Sequence, residues 1–117
     1  DLTKAYQGIA VSSGNSFVHE TESQVILNGS YNINFTMDLV LKDTGLFDDL
    51  AKKLNAPLEI SPKIVEIFKD GQKKYGSRAW SSMIVKRMED LNNIDFRVKG
   101  FPDELIDNEP EEKGFEI

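Results

Sequence analysis

The feature that most constrains the fold is the amphipathic pattern of residues 35–54, FTMDLVLKDTGLFDDLAKKL. At about 100° per residue, one stripe of a helix would carry the apolar side chains of Phe35, Leu39, Leu46, Leu50 and Leu54. Lys42 and Asp43 fall inside the same stripe. A charged pair on a buried helix face is unfavourable unless each charge finds a partner or a ligand. The pattern therefore predicts a central helix that supplies both the core of the fold and its functional surface.

Capping and turn signals predict two helices before the central one. Asp1 is a suitable N-cap for a helix that runs to about Ser12, and we expect Gly14 to take a positive φ at its end. A second, less regular helix is expected to end at Asn28 and Gly29.

Two more helices are predicted after the central one. Ser61 is expected to cap the first of them, with Pro62 at its first position. The second is predicted over residues 78–91, and its apolar stripe consists of Trp80, Met83, Ile84, Arg87, Met88 and Leu91. Gly45, inside the central helix, costs about 1 kcal/mol relative to alanine. That cost suggests that a neighbouring helix approaches the backbone at Gly45.

No alternating segment is bounded by hairpin turn signals, so no strand is predicted. We therefore predict an all-α fold of about five helices over residues 1–91, followed by an irregular acidic tail over residues 92–117. Between Asp103 and Glu116 this tail holds seven acidic residues and one lysine. We expect the tail to pack as an arm as far as Ile106 and to be looser beyond it.

Charge and composition exclude several classes of function. The net charge of −6 argues against a nucleic acid or an anionic membrane as partner, because phosphate binding needs a basic surface. No apolar run approaches the roughly 20 residues of a membrane span. The absence of cysteine removes disulfides, thiolate catalysis and cysteine-based zinc sites. It also fits a cytoplasmic location, as does the lack of a signal peptide at the start of this sequence.

Few residues offer recognisable chemistry. The eight glycines never form GxGxxG, so the chain has no turn of that type for a dinucleotide. His19 is the only histidine and lacks the partners of a metal site, so we expect it to be exposed or to cap a helix. Two interpretations of Lys42 and Asp43 stay open on this pattern. One is a lysine stem packed on leucines with Asp43 paired to another helix, and the other is a functional site.

Several short motifs, in order and at suitable spacing, resemble one family. Residues 29–35 (GSYNINF) and 39–46 (LVLKDTGL) resemble the C-terminal domain of the β-hydroxyacid dehydrogenases, the 3-hydroxyisobutyrate dehydrogenase family. The resemblance extends to residues 12–17 (SSGNSF), 56–58 (APL) and 80–82 (WSS). The fold it implies is a helical bundle like the C-terminal domain of 6-phosphogluconate dehydrogenase.

The resemblance also implies a function. Such enzymes carry an N-terminal Rossmann domain for NAD or NADP, are often oligomers, and oxidise the hydroxyl of a small β-hydroxyacid. The helical domain closes the cleft over cofactor and substrate. By resemblance, Lys42 would bind the cofactor near its nicotinamide, and Asp43 would orient Lys42 or close the site. The remaining residues expected at the substrate cleft are Ser13, Gly14, Asn15, Phe17 and Phe35.

This sequence departs from the family in two ways. The catalytic lysine of the family belongs to a glycine-rich motif that precedes this region, and that motif is absent here, so Lys42 is not that residue. Thr44 follows Asp43 where the family has leucine. We therefore expect a C-terminal dehydrogenase domain that contains no catalytic residue or metal ligand and is inactive on its own. The alternative is a free-standing helical module for protein interaction or dimerisation.

Overall fold

A computed structural model describes residues 1–105 and shows an all-helical fold, as predicted. Five α-helices and one 3₁₀ helix follow in the order α1 (Leu2–Ala10), α2 (Phe17–Asn28), α3 (Met37–Lys53), α4 (Ser61–Tyr75), the 3₁₀ helix (Ser81–Val85) and α5 (Lys86–Asn92). Within residues 1–105 the only β-type pairing is an isolated antiparallel bridge between Thr36 and Trp80. None of these helices is both long and apolar enough to cross a bilayer.

The first two helices pack on each other, and local signals place the start of α1 and the end of α2. Asp1 caps α1, since its Oδ1 accepts from the backbone N–H groups of Thr3 and Lys4. α2 ends at Gly29, as predicted, and Gly29 has φ of 95°. The expectation for Gly14 is wrong: it is not among the positive-φ residues, because Ser12 Oγ accepts from the Gly14 N–H at 3.1 Å and closes the turn without it.

The face of α3 that packs on α4 is not the leucine stripe. Met37 and Ala51 of α3 are buried, and Asp48 accepts from Ser61 Oγ of α4 at 2.5 Å. Residues at this spacing lie about 180° around the helix from the leucines. The prediction of a buried stripe is therefore wrong for three of its members, since Leu46, Leu50 and Leu54 are exposed.

The close approach expected at Gly45 occurs instead at Gly71 of α4. A methyl group on Gly45 would meet nothing within 4 Å, whereas one on Gly71 would stand 2.7 Å from Ile84 Cδ1 and 3.2 Å from Met37 Sδ. Ser61 is not the cap of α4 either, because it is already helical and its hydroxyl is donated to Asp48. Gly71 thus lets both Met37 and the 3₁₀ helix pack tightly on α4.

The predicted last helix is divided into the 3₁₀ helix and α5, and this changes which side chains are buried. A 3₁₀ helix has about 3.0 residues per turn instead of 3.6. The side chains of α5, which follows it, are therefore rotated about the helix axis relative to those of one continuous α-helix. Met88 and Leu91, predicted on the apolar stripe, are exposed. Glu89 is buried in their place, with 1% of its surface accessible.

Residues after α5 run back over α2, as expected of a packed arm. The Val98 N–H donates to Leu27 O at 2.8 Å, and the Phe101 ring meets the Tyr6 ring edge-on with centroids 5.0 Å apart. The expectations for Ile106 and for the looser acidic tail lie outside the described residues. The division at residues 91–92 stays a prediction.

Candidate functional site

Lys42 and Asp43 lie together on the exposed side of α3. Lys42 Nζ stands 3.1 Å from Asp43 Oδ1, and the two side chains are 59% and 54% exposed. Asp43 therefore pairs with its neighbour Lys42 and not with another helix, and Lys42 is more exposed than a lysine whose stem packs on leucines. An ion pair this exposed contributes about 0–1 kcal/mol. The ammonium group can consequently leave Asp43 for a ligand at little cost.

Phe35 is held at the start of α3 by a short antiparallel backbone contact. The Phe35 carbonyl accepts from the Ser81 N–H at 2.8 Å, and the Met37 N–H donates to Ala79 O at 3.0 Å. Asp38 and Lys42 lie one turn apart on α3, so their side chains point to similar sides of this helix. The half-buried Phe35 ring thus stands at the N-terminal end of the helix that carries Lys42.

A second exposed cation at this end escaped the sequence interpretation. Arg78 Nη1 lies 3.3 Å from Asp38 Oδ2, and the Arg78 side chain is mostly exposed. The hydrogen bond from Thr36 Oγ1, and then Arg78, hold the pKa of Asp38 below its ordinary value despite some desolvation. The one signal in the sequence was Asp38, an acidic residue in the first turn of a predicted helix. Acidic residues are favourable at any helix N-terminus, so Asp38 does not by itself predict an ion pair with Arg78.

The loop between α1 and α2 carries the other predicted cleft residues. Ser13 and Gly14 are exposed, and the Phe17 ring at the start of α2 is 80% exposed. Asn15 Nδ2 donates to Glu20 Oε1 at 2.7 Å, while Asn15 Oδ1 is buried and has no hydrogen-bond partner among the described residues. The loop is therefore an ordered turn in which the Ser13 hydroxyl makes no hydrogen bond within residues 1–105 and the Phe17 ring is exposed.

In the part of the chain that the structure describes, this loop and the Lys42 site are not joined by a polar contact. Among residues 1–105, no hydrogen bond or ion pair links residues 12–17 with residues 35–43. α1 packs on α2, and α3 packs on α4. The expectation that both surfaces face one cleft stays a prediction.

His19 has a structural role between the first two helices. Its Nε2 lies 2.9 Å from Tyr6 O, its Nδ1 lies 3.2 Å from Ser23 Oγ, and its ring lies 4.9 Å from the Tyr6 ring. It is half-buried by these contacts and does not cap a helix, contrary to the expectation. Within the described part of the chain, no cluster of three His, Asp or Glu side chains could hold a metal ion.

A charged cluster beneath the connection between α2 and α3 was also missed. Arg97 Nη1 donates to Glu89 Oε1 at 2.7 Å, and the Tyr31 hydroxyl donates to the other carboxylate oxygen. Burial, and then the hydrogen bond to Glu89, raises the pKa of Tyr31 to about 12. Burial alone would raise the pKa of Glu89, but the hydrogen bonds from Tyr31 and Arg97 outweigh it and lower that pKa.

Comparisons with known proteins agree with the resemblance. Residues 1–88 match the family described as the NAD-binding domain of NADP-dependent 3-hydroxyisobutyrate dehydrogenase. The chain is 31% identical over 87 residues to a 2-(hydroxymethyl)glutarate dehydrogenase of Eubacterium barkeri, which covers 74% of this chain and 29% of that protein. It is 29% identical over 84 residues to the L-threonate dehydrogenase of Escherichia coli K12, covering 71% of this chain and 28% of that protein.

The same relationship holds for the L-threonate dehydrogenase of Haemophilus influenzae, again at 29% identity over 84 residues. No solved structure gives a significant match. The chain spans less than a third of the length of each of these relatives.

Proposed function

Because the chain belongs to the 3-hydroxyisobutyrate dehydrogenase family of NAD-binding domains, we propose that it is the helical C-terminal domain of an NAD- or NADP-dependent hydroxyacid dehydrogenase. In this proposal an N-terminal Rossmann domain of the same enzyme binds most of the cofactor. The helical domain closes the cleft over cofactor and substrate. The relatives' names support a small hydroxyacid as the substrate class.

The observation that carries the proposal is the exposed face of α3. Its leucines lie opposite α4, and Leu46, Leu50 and Leu54 are all more than half exposed. An exposed apolar stripe of this kind marks a surface that packs against another protein or domain. Lys42 and Asp43 lie within it, so a domain that covered the leucines would also enclose this ion pair. Enclosure is what turns an exposed ammonium into a strong ligand for anionic oxygens.

Lys42 is assigned the role of a cofactor ligand. Its ammonium can donate charge-assisted hydrogen bonds to cofactor or substrate oxygens, and Asp43, at 3.1 Å, would hold it in orientation. Because the chain has no GxGxxG turn, it would contact a nicotinamide cofactor through the Lys42 ammonium alone and not through a phosphate-binding loop. Phe35 would form the wall of the site at the N-terminal end of α3.

The loop at residues 13–17 would form the opposite rim of the cleft. The loop offers the exposed side chain of Ser13, the backbone of Gly14 and the side chains of Asn15 and Phe17. A bound nicotinamide cofactor supplies the hydride acceptor for alcohol oxidation. The residues of this chain bind, orient and exclude water, and the catalytic residues lie outside it.

An assay of the natural protein that contains this chain tests the proposal. Purified protein is incubated with NAD or NADP and with L-threonate or 2-(hydroxymethyl)glutarate, and the absorbance of the reduced nicotinamide is followed. We expect turnover with one nucleotide and a small hydroxyacid. The 117-residue chain alone should give none, because it lacks the dinucleotide turn and the catalytic lysine. Turnover by the isolated chain would contradict the division of roles.

The exposed leucines also favour a second candidate, a helical dimerisation module without catalysis. The two candidates differ in what covers α3: a Rossmann domain of the same protein or a second copy. Absence of nucleotide binding by the full-length protein, with dimerisation through α3, would favour the module.

A further inference from the structure

Residues 93–101 lie beyond the family match, yet they complete the packing around α2. The Val98 N–H donates to Leu27 O at 2.8 Å, and Asn28 Nδ2 donates to Phe101 O at 3.0 Å. Both contacts fall on the last turn of α2. This segment therefore holds the point from which the chain leaves α2 for the connection that carries Phe35.

Arg97 is the central residue of this segment. Its Nη2 donates to the Tyr31 hydroxyl at 2.8 Å, and its Nη1 donates to Glu89 Oε1 at 2.7 Å. The guanidinium lies over Gly29, where a methyl group would stand 2.5 Å from Arg97 Nε. Tyr31 and Glu89 are both buried. Arg97 thus ties the connection after α2 to α5 through two buried partners.

Tyr31 links Arg97 to the connection between α2 and α3. Its carbonyl accepts from Ser82 Oγ at 2.7 Å, and the Phe35 carbonyl accepts from the Ser81 N–H at 2.8 Å. Tyr31 and Asn34 both have φ of 55°, which is unusual for residues other than glycine. Such backbone conformations persist only where the surrounding contacts hold them.

We propose that Arg97 is a positioning residue that holds the connection of residues 31–36, and with it Phe35 and the first turn of α3, against residues 79–82. The consequence for catalysis rests on the proposed function, whereas the positioning itself does not. A partly buried ion pair of this kind is a poor source of net stability, because desolvation offsets much of the attraction. Its contribution here is geometric, since the guanidinium fork reaches Tyr31 and Glu89 at once.

Amide hydrogen exchange in the full-length protein tests this role. The reporters are the amides of Met37 and Ser81, which donate to Ala79 O and Phe35 O between the connection and residues 79–82, and the amide of Tyr31, which donates to Val25 O of α2. We expect Arg97→Met to raise their exchange rates by about tenfold or more. Arg97→Lys should give a smaller increase, because an ammonium keeps the charge but not the fork.

Arg87→Met is the matched control. Arg87 also forms an ion pair of 2.7 Å, from α5 to Asp70 of α4, but within residues 1–105 no hydrogen bond or ion pair joins it to the connection. Its substitution should leave the three reporter amides within about twofold of wild type. Equal rates in Arg97→Met and Arg87→Met would overturn the proposal. So would a uniform increase across all helices in Arg97→Met, since that is loss of global stability.

If Arg97→Met does not fold, Tyr31→Phe decides the question. It keeps the ion pair of Arg97 with Glu89 and removes only the hydroxyl between them. Faster exchange at Met37 and Ser81 supports the proposal, and unchanged exchange overturns it. In the active enzyme, Arg97→Met should lower kcat/KM at least about fivefold, with partial recovery in Arg97→Lys. Failure of the wild type to use either nucleotide would reject the proposed function and leave the exchange result standing.

Discussion

The Arg97 guanidinium occupies the space that a side chain on Gly29 would fill, with 2.5 Å between its Nε and the position of a Cβ atom. Gly29 also has φ of 95°, a conformation that a residue with a Cβ adopts only under strain. The glycine at the end of α2 therefore serves two purposes: it closes the helix and it seats Arg97.

We predict opposite effects for two glycine-to-alanine substitutions. Gly29→Ala should lower the free energy of unfolding by at least about 1–2 kcal/mol, through left-handed strain and displacement of Arg97. Gly45→Ala should raise it by about 0.5–1 kcal/mol, because a methyl group there meets nothing within 4 Å and alanine is the better helix former. Urea unfolding of the 117-residue chain measures both. Equal effects would contradict the account of Gly29.

Lys42→Met separates function from stability. The side chain is mostly exposed, so the substitution should change the free energy of unfolding by no more than about 0.5 kcal/mol. In the full-length enzyme it should lower kcat/KM at least about tenfold, or about 1.4 kcal/mol of transition-state stabilisation. Lys52→Met is the control, because Lys52 also pairs with a neighbouring aspartate on α3 but lies off the leucine stripe. Equal values of kcat/KM in the two variants would show that Lys42 does not belong to the site.

The exposed leucine face should make the isolated chain self-associate. We expect sedimentation velocity to show a dimer that Leu50→Glu converts to monomer, with the free energy of unfolding changed by no more than about 0.5 kcal/mol. Val11→Glu is the control, since Val11 is an equally apolar exposed residue at the end of α1. A wild-type chain that stays monomeric at high concentration would argue against this surface as an interface.

Stability should fall in acid partly because of Glu89. Its pKa lies below the ordinary value of 4.5, so its contribution is present above that pH and is lost as the pH falls through the lower, folded-state value. Glu89→Gln should therefore flatten the decline in the free energy of unfolding below about pH 4.5. Asp90 also has a lowered pKa, caused first by Lys74, so part of the decline should remain.

Ser82→Ala controls for lower stability alone. It removes the hydroxyl that donates to Tyr31 O at 2.7 Å and introduces no change in titratable groups. Urea unfolding from neutral pH to pH 3 gives the free energy of unfolding of the wild type, Glu89→Gln and Ser82→Ala for comparison. An unchanged pH dependence in Glu89→Gln would show that this carboxylate does not couple to folding.

Local signals in the sequence determined three of the helix ends and the family. Asp1 caps α1, Gly29 closes α2 and the turn before Pro57 ends α3, because each depends on the backbone preference of one or two adjacent residues. The short motifs around Lys42 were equally independent of packing, and the family they indicated is confirmed.

The tertiary structure alone decided which face of α3 is buried. The helix has two faces that can pack, one with leucines and one with Met37, Asp48 and Ala51, and periodicity favours the more apolar. The second face packs on α4 because Gly71 leaves room for the Met37 side chain and Ser61 supplies a hydroxyl for Asp48. These complementary groups lie in another helix, so the pattern of α3 could not reveal them.

The same limit applies to the cluster under the connection. Glu89 is buried because the 3₁₀ helix rotates α5 and because Arg97 and Tyr31 meet its carboxylate from two other segments. Tyr31 is 58 residues away in sequence, and no periodicity relates positions so far apart. Burial of a charge depends on partners brought together by folding, and for that reason the sequence pattern pointed to Lys42 as the buried charge when the structure buries Glu89.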